Sequence, residues 1–146
     1  MVGLLLAADV ATKRLAEARL DRGRPWWLVD GWVGLELRHN SGVAFSVLDG
    51  RRGVWLLLIG ASLGLLWLAR DVARSAPTTA MLVPIALVAA GAAGNLADRL
   101  GDGRVTDFAA VGPWPRFNIA DSALSIGLVL LLVQAATTKG HDPDDR

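Results

Sequence analysis

Apolar residues in this chain fall in long blocks separated by short polar stretches. Three blocks approach the roughly 20 residues that a helix needs to cross a bilayer: residues 53–70, 79–98 and 117–137. The first has Trp55 and Trp67 near its ends, as an aromatic belt would place them. It also has Gly60 and Gly64 at a GxxxG spacing that lets another helix approach closely. The second carries Pro84, which deletes a backbone donor and is tolerated where a neighbour re-satisfies the freed carbonyl. A fourth block, residues 2–20, is broken by Asp9, Lys13, Arg14 and Glu17. Asp9 and Lys13 are four apart and face each other on a helix. The segment is therefore either a spanning helix holding an ion pair or an amphipathic helix on the surface. Little membrane-length sequence precedes Asp9, so the first helix is read as either short or starting ahead of Met1. The chain has four spans if this segment crosses the membrane and three if it lies on the surface.

Residues 27–50 follow another rhythm. Val29, Val33, Leu35 and Leu37 alternate with Asp30, Glu36 and Arg38, the period of a half-buried strand. Asn40-Ser41-Gly42 supplies turn chemistry, and residues 43–48 read as a returning strand. Trp26, Trp27 and Trp32 suit a headgroup layer, so this β-element is expected to lie on the membrane. Residues 99–116 form a loop on the same side, and 138–146 a solvated tail.

At 146 residues the chain is a single domain, and 53% apolar residues arranged in blocks favour a multi-pass membrane protein. A net charge of +1 without a basic cluster gives no sign of a nucleic-acid partner. With no cysteine, thiol nucleophiles, zinc–thiolate sites and disulfides are excluded. Of the two histidines, His39 beside Ser41 makes a poor start for a serine triad, and His141 lies in the tail.

The chemistry concentrates where two apolar blocks end. Gly91, Gly94, Asn95 and Asp98 share one stripe of a helix, and Asn118, Asp121, Ser122 and Ser125 share another. Polar stripes at membrane depth cost a few kcal/mol per charge, so they turn toward each other and away from lipid. Asp107 lies in the loop between them, fourteen residues before Asp121. Two aspartates brought close do not ionise together; they share a proton, one serving as base and the other as acid. Such a pair activates water against a peptide carbonyl without a metal, a cofactor or a nucleophilic side chain. Other readings stand beside this one. Asn118 and Asp121 also fit an N-cap and the third position of a helix. Asp98–Arg99 fits an interfacial charge pair, Asp102 a turn, Arg116 a headgroup contact and Asn40 a turn former. Asp98, Asp102, Asp107 and Asp121 would suit Mg²⁺ in a lipid-headgroup enzyme, and an acidic stripe would suit a transport subunit.

Taken together, five short motifs resemble the lipoprotein signal peptidase (signal peptidase II) family of bacterial inner-membrane aspartyl proteases. They run in order as Asp9-Val-Ala-Thr-Lys13, Asn40-Ser-Gly-Val-Ala-Phe-Ser46, Gly94-Asn-Leu-Ala-Asp-Arg99, Val105-Thr-Asp-Phe108 and Phe117-Asn-Ile-Ala-Asp121. The resemblance implies a membrane all-α fold of four transmembrane helices, a small extracytoplasmic β-cradle, and a short periplasmic amphipathic helix at residues 108–115. It implies that Asp107 and Asp121 are the catalytic pair and that Asn40, Asn95, Arg99 and Asn118 contact substrate. Asp98, Asp9 and Lys13 would form a supporting shell, with no metal and no cofactor. The implied substrate is a lipid-modified prolipoprotein, cut before its lipidated cysteine by a monomer in contact with membrane lipid. The implied inhibitor is the peptide antibiotic globomycin. Family topology puts both termini in the cytoplasm. The arginine count predicts the reverse, with Arg22, Arg24, Arg38, Arg51, Arg52, Arg99, Arg104 and Arg116 outside against Arg70, Arg74, Lys139 and Arg146 inside. The family topology is preferred here over the charge rule.

Overall fold

A computed structural model describes residues 1–40, 51–74 and 77–139. In chain order they form α1 (Val2–Arg19), β1 (Trp26–Val29), β2 (Val33–Asn40), α2 (Arg51–Arg74), α3 (Thr79–Gly101), β3 (Val105–Val111) and α4 (Ile119–Lys139). The Ser41-Gly42 part of the expected turn, the returning strand at 43–48 and most of the tail lie outside the described residues. Among the described residues three helices are long and apolar enough to cross a membrane: Leu56–Arg74, Thr79–Gly101 and Ile119–Thr137.

The centre of the molecule is α3, which packs against α1, α2, α4 and β3. Small residues let it approach α4. A methyl group on Gly91 would collide with the Ala120 carbonyl and the Leu124 amide, and one on Gly94 would lie 2.9 Å from Asp9 Oδ2. Among the described residues nothing approaches the GxxxG of α2: a methyl group on Gly60 or Gly64 would meet open space. Close approach is therefore made by α3, where two neighbouring helices converge, and not by the spacing that the sequence advertises.

Pro84 lies inside α3 and has no N–H, so the carbonyl of Ala80 loses its helical donor. Gln134 Nε2 of α4 donates to that carbonyl at 2.8 Å, which is the re-satisfaction that a proline in an apolar helix requires.

The pattern of α1 is inverted relative to a soluble helix. Its buried residues are Asp9, Lys13 and Ala16, while Leu4, Val10 and Leu15 are exposed. Asp9 and Lys13 are almost fully buried, and Lys13 Nζ lies between two carboxylates, 2.6 Å from Asp9 Oδ2 and 2.7 Å from Asp98 Oδ2 of α3. The other oxygen, Asp9 Oδ1, accepts the N–H of Ala120 in the first turn of α4 at 2.9 Å. One ion pair thus ties three helices together.

The sheet differs from expectation in two ways. Its antiparallel order is β1-β2-β3, and the third strand comes from the loop after α3. The amphipathic helix expected at 108–115 is instead the second half of β3 followed by a turn at Gly112, whose φ is +47°. Pro113 and Pro115 remove the donors that a helix there would need, whereas the free edge of β2 offers pairing partners on both sides of a single bulge. The burial of β2 is also reversed. Val33 and Leu35 are exposed, while Glu36 is buried together with Leu37. An apolar outer face carried on with Trp26, Leu28 and Trp32 is what an element resting on lipid presents.

Two stability predictions follow from these contacts. Gln134→Leu should cost about 0.5–1 kcal/mol, and little in a Pro84→Ala background, where the helical bond is restored. A double-mutant cycle on thermal unfolding in detergent micelles measures the coupling. Lys13→Met strands two carboxylates in a dry interface and should cost about 3–5 kcal/mol, read as an early transition in a denaturant titration.

Candidate active site

The loop that connects α3 to α4 is closed by a backbone bridge. Phe117 N–H donates to the Ala109 carbonyl at 3.2 Å, and the Ala109 N–H donates back to the Phe117 carbonyl at 2.8 Å. This antiparallel contact sets the residue after Phe117 beside the residues before Ala109, so Asn118 meets Asp107. A bulge helps to aim the strand. Between Leu35 and Arg38, β2 spends two residues where β3 spends only Phe108, and the next rung is Arg38 opposite Asp107. Bulges bend a strand and redirect side chains in this way.

Asn118 is the hub. Its Nδ2 donates to Asp107 Oδ1 at 2.8 Å, while its Oδ1 accepts the Asp121 N–H at 2.8 Å. Asp121 Oδ2 accepts the Asn118 N–H in return at 3.4 Å, a reciprocal cap at the start of α4. Asp121 Oδ1 accepts Asn95 Nδ2 of α3 at 2.6 Å. Asn40, at the end of β2, hydrogen-bonds Asp107. Arg99 donates to the Asn95 carbonyl at 3.1 Å, with its charge in range of Asp121, Asp107 and Asp98. Asp107 is buried, and that burial, followed by the charge of Asp121, pushes its carboxyl up to about 7.

The sequence-derived candidates therefore fall into two groups. Asp107, Asp121, Asn40, Asn95 and Asn118 form one hydrogen-bonded cluster with Arg99 at its edge. Asp9, Lys13 and Asp98 form the ion-paired group behind it. The four aspartates weighed as Mg²⁺ ligands do not converge: Asp98 engages Lys13 and Asp102 engages Arg104 at 3.2 Å. Among the described residues no three histidine or acidic side chains come together as a metal cluster.

Two open clefts flank the cluster. One, of about 400 Å³, is lined by Arg38, His39, Asn40 and Asp107. The other, of about 540 Å³, is lined by Phe117, Asp121, Ser122, Ser125 and Ile126. Trp114, Pro115 and Arg116 form a wall common to both. Glu36 of β2 pins that wall: its Oε2 accepts from Arg116 at 2.7 Å, and its Oε1 pairs with Arg38 at 2.9 Å. Arg116 also stacks 5.8 Å from the Trp27 ring centroid. Burial alone would raise the Glu36 carboxyl, but the two guanidiniums outweigh it and hold it below its ordinary value. Arg116 is thus a structural clamp on this wall.

Sequence reasoning passed over Glu36, Glu17 and Thr106. For Glu36 there was no signal, since its inward orientation depends on the bulge. For Glu17 there was one: it continues the Asp9, Lys13 stripe by four residues.

Residues 1–137 match the family model described as signal peptidase (SPase) II. A lipoprotein signal peptidase of Rhodococcus jostii is 41% identical over 99% of this chain and 73% of its own length. One from Chlorobium phaeobacteroides is 34% identical over 94% of this chain and 88% of its own. Two solved bacterial membrane enzymes share the fold. One superposes with a TM-score of 0.85 at 24% identity over 99% of this chain and 90% of its own, the other with 0.82 at 26% over 92% and 88%. The chain belongs to the signal peptidase II family, the lipoprotein signal peptidases, which cleave the signal peptides of prolipoproteins.

Proposed function

We propose that this chain is an aspartyl endopeptidase that cuts diacylglyceryl-modified prolipoproteins just before the lipid-bearing cysteine, using water held between Asp107 and Asp121. The observation that carries the reading is the bridge made by Asn118. One amide side chain touches both aspartates, one through Nδ2 and the other through Oδ1, at 2.8 Å each. Asp121 lies in the first turn of α4, where the helix start favours negative charge. Because burial raises the Asp107 carboxyl to about 7, the shared proton is assigned to Asp107 and the base role to Asp121.

In the forward step Asp121 takes a proton from water, whose oxygen attacks the scissile carbonyl, while Asp107 protonates the carbonyl oxygen. The tetrahedral intermediate then collapses as the leaving nitrogen receives the proton from Asp121 and the intermediate's hydroxyl returns one to Asp107. Asn95 and Asn118 orient the pair, and Arg99 balances its charge beside substrate. The two clefts suit a substrate with an extended outer segment and a membrane-embedded remainder. The first takes the backbone beside Asn40 and Asp107; the second runs down α4 past Ser122 and Ser125 toward lipid. The exposed leucines and buried ion pair of α1 support a fourth span, with both termini cytoplasmic in the inner membrane and the site near the outer face. A monomer suffices, because every group named lies in one chain.

In a gel assay with purified protein and a lipidated precursor, Asp107→Asn and Asp121→Asn should each lower cleavage by about 10²–10⁴-fold while folding normally. Near-normal turnover by either one removes the dyad. Globomycin should block the wild-type reaction, and excess chelator should leave it intact.

The acid step needs a protonated Asp107, so kcat should fall as pH rises through about 7. That apparent value belongs to the coupled pair. Removing the Asp121 charge in Asp121→Asn should lower the Asp107 titration, which burial still keeps above an ordinary aspartate. Infrared difference titration of the carboxyl measures both.

A further inference from the structure

The stripe on α1 does not end at Lys13. Asp9, Lys13 and Glu17 are spaced by four and line one face of the helix. Each reaches a different element that carries part of the cluster. Asp9 holds the first turn of α4, Lys13 holds Asp98 of α3, and Glu17 holds β3. Thr106 is buried, and its hydroxyl donates to Glu17 Oε1 at 2.7 Å. His39 Nε2 lies 3.3 Å from the same oxygen. His39 and Thr106 are opposite one another in the ladder, so their side chains share the face that looks at α1. One residue on, Arg38 and Asp107 share the other face; the first cleft is lined by both of them and also reaches His39.

We infer that Glu17 is a positioning residue for the reaction, fixing through the Thr106 hydroxyl the height of β3 against α1 and thereby the reach of Asp107 toward Asn118. The inference rests on the dyad reading above. Its leverage comes from the strand backbone: Asn118 Nδ2 also lies 3.4 Å from the Thr106 carbonyl. A slip of Thr106 therefore moves two of the three acceptors of that amide at once, the third being Asn95 Oδ1 of α3. Magnitudes separate this role from simple stabilisation. The Glu17 side chain is 43% exposed, and ion pairs that wet contribute little to stability. Catalytic groups, in contrast, tolerate displacements of about 0.5 Å, and an ångström can cost up to about a hundredfold in rate.

The test uses the full-length protein in micelles with a lipidated precursor. Thr106→Val keeps shape and removes the hydroxyl; Glu17→Leu removes the acceptor; Thr106→Ser restores the donor. Both disruptive variants should lower kcat about tenfold, with KM within about twofold. Both should also move the alkaline limb of kcat to lower pH, because an Asp107 that drifts outward loses burial and the influence of Asp121. A weaker Asn118 hydrogen bond acts the other way, but burial is the largest influence on Asp107 and sets the sign; Asn40, Lys13 and Arg99, and Asp102 near Glu17, keep their identities. Thr106→Ser should recover both rate and limb. An unchanged limb in the disruptive variants, whatever the loss of rate, overturns the inference, as does failure of serine to rescue. Asp107→Asn and Asp121→Asn run alongside. If either is active, the dyad reading itself fails. If both are inactive while Thr106→Val and Glu17→Leu behave as wild type, only the positioning role falls.

Discussion

Lys13 held between Asp9 and Asp98 is the contact on which the rest of the structure depends. Charges away from water are expensive, and removing one partner of a buried pair is more damaging than replacing the pair with hydrocarbon. Two carboxylates around one ammonium leave an excess of negative charge. That excess is met by the start of α4, where the Ala120 N–H donates to Asp9 and the helix dipole is positive. The arrangement therefore works only when all three helices are docked, because no two of them satisfy it. It also explains the glycine at position 94: a side chain there would occupy the space of the Asp9 carboxylate.

From that fixed point the cluster is built outward by backbone geometry. Docking α4 sets Asn118 and Asp121 by way of their mutual cap, docking α3 sets Asn95, and the Phe117–Ala109 bridge brings β3 in behind them. The side-chain oxygen of Asn118 is held by the first turn of α4 and its Nδ2 by β3 and α3, so its orientation is determined from several sides. A fully satisfied buried amide of this kind is rigid, and it holds its neighbours in one geometry.

Much of this was legible in the chain, and what was not shares a physical cause. The three apolar blocks, the Asp9–Lys13 spacing, the turn at Asp102 and the cap at Asn118 are local features, governed by periods of three to four residues. The third strand is not local. Val105–Val111 pairs with residues some seventy positions earlier, and nothing nearby in sequence records that the edge of β2 is free. The reversed faces of β2 fail for a related reason. Alternation identifies a strand, but the rule that apolar means inside assumes water on the other side. Here the exposed residues are Val33 and Leu35, and Glu36 points in to meet Arg116. The same inversion governs α1, where leucines face out and charges face in. Gly60 and Gly64 have the spacing that lets a helix approach, yet among the described residues contact is made at Gly91 and Gly94, because partner geometry decides which spacing is used.

Two readings of Asp121 competed on sequence alone, one as a helix cap and one as a reacting acid, and the geometry makes them compatible. A carboxylate offers about four lone-pair sites. At Asp121 one oxygen accepts the Asn118 N–H and the other accepts Asn95 Nδ2, which leaves acceptor capacity on the side that lines the second cleft. The cap locks the rotamer of the side chain, and a locked rotamer is what a reacting group needs if its lone pair is to stay aimed without reorganisation. Capping chemistry at the head of α4 is therefore the means by which a carboxylate in a membrane helix is held in place beside Asp107.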